Sequence, residues 1–178
     1  MHNALICALS RFFKAACSRH CGSTESRAIR LPEISIDDFQ LYADWVYLST
    51  IGVEDGDDDA DEVYCRMYIL GDVLDDYRLR NAAMERLVDG LECTAQPSLD
   101  TVWDIYERTP KGSPLRKFLV DRWIGRGDHE KFASNVELYP AEFVQELAVA
   151  LVRKTPSFTS EDFVASVRSS SHPETEDS

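Results

Sequence analysis

The chain has 178 residues, 44% of them hydrophobic, which suffices for one compact domain or a small domain with a helical extension. A formal net charge of −13 argues against nucleic acid or an anionic membrane surface as the main partner. Five unevenly spaced cysteines suit a reducing compartment better than a disulfide framework, and no apolar run reaches the roughly 18–20 residues that span a bilayer.

The amino-terminal part stands apart in charge. Up to Leu31 the basic residues Arg11, Lys14, Arg19, Arg27 and Arg30 are set against a single acid, Glu25. Leu5, Ile6, Leu9, Phe12, Phe13 and Ala16 recur at three- and four-residue intervals, so residues 2–17 are expected to form one amphipathic helix. After a Ser/Gly-bearing break, Ala28-Ile29-Arg30-Leu31 alternates partly and is stopped by Pro32, which reads as a short strand. Ser35 stands three residues before Asp38, a capping-box pattern that opens a helix running to about Leu48. Ile36, Phe39, Ala43 and Val46 form its apolar stripe, which Leu41, Trp45 and Leu48 widen.

From Glu54 to Glu62, seven of nine positions are acidic, and mutual repulsion is expected to leave them as a solvated loop. A calcium loop would need its turn glycine after the first acids, whereas Gly56 precedes most of them. Two helices follow, at about 63–75 and 79–91, joined by the short link Asp75-Asp76-Tyr77 and therefore expected to pack as a hairpin. A second helical set comprises residues 99–108, 114–126 with Pro114 in the first turn, and 141–154. Residues 156–178 are acidic and Ser-rich and are expected to be disordered.

A lone strand poses a physical problem, because each backbone group left buried and unpaired costs roughly 1–3 kcal/mol. Three or four such groups rival the ~5–15 kcal/mol total stability of a domain. Either residues 28–31 are not a strand, or their partner lies elsewhere.

No chemistry-bearing constellation emerges. The glycines are scattered, so no phosphate-cradling loop is present, and no serine is framed as a nucleophile. Cys17, His20 and Cys21, with Cys7 ten residues before Cys17, lack a second close pair to complete a metal site, and packing of Cys7 and Cys17 is the preferred reading. His129 lies in a polar run and is expected at the surface, while Trp45, Trp103 and Trp123 are expected in the core. The chain is therefore read as a non-enzyme with no catalytic residue, metal or cofactor.

Taken in order, several segments resemble the BTB/POZ family, in particular its fungal members. His2-Asn3-Ala4-Leu5-Ile6-Cys7-Ala8-Leu9-Ser10-Arg11-Phe12-Phe13 is similar to the family's helix of histidine, small and apolar residues, serine and paired phenylalanines. Leu31-Pro32 resembles the exit of the next strand. Phe39-Gln40-Leu41-Tyr42-Ala43-Asp44-Trp45-Val46-Tyr47 resembles the following helix, and Leu70-Gly71-Asp72 a helix in which alanine is customary at the glycine position. Residues 102–121 are similar to the helical extension of those fungal proteins. The resemblance implies a mainly α fold (α+β with a minimal sheet), with a partial BTB/POZ-like core over residues 1–92 and a helical extension over 93–155. It also implies that the hairpin opening the domain, and with it the strand partner of residues 28–31, precedes the first residue. The expected function is protein–protein interaction, by self-association or as an adaptor to a cullin-type ubiquitin ligase scaffold, in the cytoplasm or nucleus. The alternative is an organellar helical protein or enzyme with residues 1–27 as a targeting segment.

Overall fold

The computed structural model describes residues 7, 10–19, 34–53, 59–90 and 97–154. Among them the chain is mainly α, with no strand. The expected strand at 28–31, the motif positions His2, Leu31 and Pro32, residues His20 and Cys21, and the acidic tail fall outside the described residues.

Helix α1 spans Arg11–Arg19. The uninterrupted helix expected over 2–17 is broken at Ser10, which is not helical although Cys7 before it is. The reason is local: serine offers the backbone a competing partner. Ser10 Oγ accepts from Phe13 N at 3.2 Å, and the Ser10 carbonyl accepts from Lys14 N at 3.1 Å, which makes Ser10 the N-cap of α1. Helix α2, Ile36–Leu48, opens where the capping pattern predicts, with Ser35 Oγ accepting from Asp38 N at 3.0 Å. It ends at Ser49, whose left-handed backbone (φ 55°) lets its N–H return to the Trp45 carbonyl.

Helices α3 (Ala60–Val73) and α4 (Tyr77–Asp89) form the tightest helix pair, as the short link predicts. Their close approach explains Gly71. A Cβ there would stand 2.8 Å from Arg80 Cγ and 3.0 Å from Arg80 N, so an alanine would push α4 away. The helix-propensity penalty of glycine, up to ~1 kcal/mol relative to alanine, is accepted in exchange for that contact. Helix α3 begins before the expected Val63, and this corrects the reading of the acidic run as a plain solvated loop. Its described last part, Asp59 to Glu62, forms the start of α3 and places Asp61 and Glu62 in its first turn, where carboxylates favour the positive end of the helix. Two of these acids are also bonded across the fold, Asp61 to Arg122 at 2.7 Å and Glu62 to Ser98 N at 2.9 Å.

Helices α5 (Leu99–Arg108), α6 (Pro114–Arg126) and α8 (Ala141–Lys154) coincide with their expected spans. Ser98 Oγ caps α5 by accepting from Thr101 N, and Ser113 Oγ caps α6 by accepting from Leu115 N. Between α6 and α8 lie a six-residue helix, α7 (His129–Ser134), and a 3-10 turn at Val136–Leu138, neither expected from the sequence. One-turn helices carry too little periodicity to be seen, although Asp128, which accepts from Lys131 N at 2.9 Å, is a recognisable N-cap.

One buried cluster runs through both helical sets, from Phe13 through Tyr42, Met67, Leu79 and Ile105 to Leu147. Trp123, Phe132, Tyr139 and Phe143 meet edge-to-face or tilted against it at centroid separations from 4.9 Å to 6.1 Å. Trp45 and Trp123 are buried as expected, but Trp103 is 41% exposed, and its indole N–H donates to the Leu138 carbonyl at 2.9 Å. That bond ties α5 to the 3-10 turn and satisfies the polar edge of a ring lying at the surface.

Candidate functional site

Two arrangements bear on function. The first is a buried polar node centred on Asp76, the N-cap of α4, which is fully buried. Its Oδ1 accepts from Arg78 N and Leu79 N, each at 3.1 Å, while Oδ2 accepts from Tyr42 Oη and Trp45 Nε1, each at 3.4 Å. One residue before it, Asp75 takes a left-handed turn (φ 49°), a conformation that aspartate tolerates better than most residues. Ser10 Oγ donates to the Leu74 carbonyl at 2.6 Å, which brings α1 onto the same turn. Phe13 stacks on Tyr42 at 6.3 Å and receives the edge of Phe12 at 5.3 Å. Burial, and then the charge of Asp76, pushes the Tyr42 phenol well above its ordinary pKa, so it stays protonated and donating.

This node brings together Ser10, Phe12, Phe13 and Trp45 of the expected motif positions. Leu70 is buried close by in sequence, in the last turn of α3. Phe39 is half-buried with its ring 6.4 Å from that of Tyr42. Asp72 stands at the edge, paired with Arg80 at 2.6 Å. Tyr47 is not part of the node; it is 48% exposed. The sequence reading missed Tyr42 and Asp76 themselves. An aspartate immediately before a helical segment was a legible capping signal, but nothing local indicates that its second oxygen serves buried rings from another helix.

The second arrangement is a groove of about 610 Å³ between α6 and α8. Val120, Val149 and Ala150 supply its apolar lining, and the rim mixes Lys117, Arg153 and Lys154 with Asp121, Glu142 and Glu146. On α8 the apolar residues Val149 and Val152 are 50% and 75% exposed. Arg116 supports the groove from beneath, with a side chain only 4% exposed. Its Nη2 donates to the carbonyls of Tyr106 and Thr109, its Nε to Thr109 Oγ1 at 3.1 Å, and its Nη1 to Glu142 Oε2 at 2.6 Å. The guanidinium lies 4.4 Å from the centre of the Tyr106 ring. Such saturation is what a buried guanidinium requires, and it fixes the loop between α5 and α6 against α8. Glu142 is held below the usual carboxylate range by Arg116 and then Lys111, whereas Tyr106 is pushed up by burial and by donating to Glu146 at 2.7 Å. Nothing in the sequence around Arg116 distinguishes it from the exposed arginines, so its burial was not legible there.

The remaining expectations are simply located. His129 is exposed at the start of α7. Cys65 is 2% exposed, with burial pushing its thiol up to about 12. No helix among the described residues is long and apolar enough to cross a membrane. Among them, no three His, Cys, Asp or Glu side chains converge in a way that would hold a metal ion.

No family model, curated protein or solved structure matches the chain.

Proposed function

We propose that this chain is a protein–protein interaction module of BTB/POZ type, with a core in its first half and a helical extension in its second. It acts by self-association or as an adaptor to a cullin-type scaffold, in the cytoplasm or nucleus. The observation that supports this reading most is the convergence on one turn. Ser10 and Phe13 of one quoted segment and Trp45 of another meet around Leu74 and Asp76. The same packing weighs against residues 1–27 as a cleaved targeting segment, because Phe13 is 4% exposed and Ser10 is 1% exposed. Cleavage would strip both from the core.

The surface offered to a partner is the α6–α8 groove, whose dimensions and mixed rim suit an amphipathic helix laying its apolar side on Val149 and Ala150. Such an interface concentrates its energy in a few central contacts. Val149→Glu is the direct test: at a half-exposed position it should leave thermal unfolding almost unchanged while weakening partner or self-association at least tenfold. Unchanged association in Val149→Glu, with the fold intact, would exclude this groove as the interface.

A further inference from the structure

Residues ten apart in an unbroken α-helix are separated by about 15 Å along its axis, out of reach of each other's side chains. Cys7 and Cys17 are ten apart, yet their Sγ atoms lie 2.9 Å from one another. The break at Ser10 makes this possible: the chain turns back there, so that Cys7 also reaches the Phe13 carbonyl at 3.6 Å. Both cysteines are only half-buried, whereas Cys65 is sealed in the core. Two thiols in contact, accessible to solvent and bracketing a structural cap, are poised for disulfide chemistry rather than for packing alone.

We propose that Cys7 and Cys17 are a thiol–disulfide exchange site, oxidised to an intramolecular disulfide by a small-molecule disulfide of the glutathione class. Cys7 donates its thiol hydrogen to Cys17, so Cys17 is the attacking sulfur and Cys7 the resolving one. The Cys17 thiolate attacks one sulfur of glutathione disulfide and breaks that S–S bond. One glutathione thiolate leaves and takes up the proton that Cys17 lost. Cys7, deprotonated in turn, attacks Cys17 Sγ and expels the second glutathione, which is protonated likewise. Two protein thiols become one disulfide, and one glutathione disulfide becomes two glutathione thiols. The hydrogen bond to Cys17, followed by burial, holds the Cys7 thiol above its ordinary pKa, so the second step speeds up as pH rises. The product would pin the chain reversal at Ser10, the residue whose hydroxyl joins α1 to Leu74.

Tryptic mapping of the native full-length chain after equilibration with glutathione disulfide tests this. Cleavage after Arg11, Lys14, Arg19 and Arg27 puts Cys7, Cys17 and Cys21 into three different peptides. The expected product is the peptide ending at Arg11 linked to the peptide 15–19, with a mass loss of about 2 Da that dithiothreitol reverses. Cys65 must remain unlabelled by a thiol reagent, which shows that the chain stayed folded. In denaturant the shorter Cys17–Cys21 loop closes more easily, so the share of Cys7–Cys17 linkage should fall several-fold. Predominant Cys17–Cys21 linkage in the folded chain would overturn the assignment. So would intermolecular linkage, stable glutathione adducts on either cysteine, or no reaction.

Discussion

Replacing Asp76 with alanine would remove four hydrogen bonds at once, and its cost follows from what each acceptor serves. Loss of an aspartate N-cap that holds Arg78 N and Leu79 N costs about 1 kcal/mol. Tyr42 Oη and Trp45 Nε1 would then lack this acceptor inside the core. Bonds of 3.4 Å are long, so the low end of the penalty for a buried unpaired donor applies, about 1 kcal/mol each. The sum, about 3 kcal/mol, is a large share of the ~5–15 kcal/mol that holds a domain of this size together. In thermal unfolding it corresponds to a fall in Tm of roughly 6–12 °C, at 2–4 °C per kcal/mol. Asp76→Asn separates acceptor count from charge. Asparagine caps nearly as well as aspartate but turns an NH2 group toward one set of donors, so about 1 kcal/mol should be lost. Urea unfolding followed by circular dichroism measures both variants. A loss below about 0.5 kcal/mol for Asp76→Ala, or equal losses for the two variants, would refute the node as the organiser of this turn.

Three further outcomes are expected. Asp61→Ala removes the 2.7 Å ion pair to Arg122, whose side chain is 1% exposed, and should cost about 3 kcal/mol in urea unfolding, whereas the double replacement Asp61→Leu with Arg122→Met should recover most of that loss. Gly71→Ala, favourable by helix propensity alone, should lower Tm because its Cβ meets Arg80; a higher Tm would show that the α3–α4 contact yields easily. The raised pKa of Cys65 makes a pH prediction. Its folded value near 12 lies above the unfolded value of 9.0, so this stabilisation is complete below pH 9 and is lost as pH rises toward 12. The slope from this one group is at most about 1.4 kcal/mol per pH unit. Cys65→Ala should therefore show a shallower alkaline decline than the parent in urea titrations across that window; an identical slope would contradict it.

Helices with strong periodicity and a capping serine were legible to within a residue or two. Ser35, Ser98 and Ser113 each mark a start, and α5, α6 and α8 follow from the apolar spacing behind them. Legibility failed where tertiary partners decide. Ser10 reads as an ordinary residue inside an apolar-periodic helix, yet its hydroxyl is drawn to Leu74, 64 residues away, and the helix breaks. Asp61 and Glu62 read as part of a self-repelling run, but Arg122 and the backbone of Ser98 give those two carboxylates specific partners. Trp103 reads as core because aromatic rings usually are, and the short turn that receives its N–H at Leu138 carries no sequence signal of its own. In each case the deciding partner is distant in sequence, where composition and spacing carry no information.

The claim that this chain acts by binding protein is tested most directly by sedimentation velocity of the full chain over a wide concentration range, alone and with a cullin-type scaffold. The account predicts a species of twice the 20.2 kDa chain mass whose share grows with concentration, or a discrete complex with the scaffold. A folded species that stays at 20.2 kDa at every concentration and ignores the scaffold would contradict it.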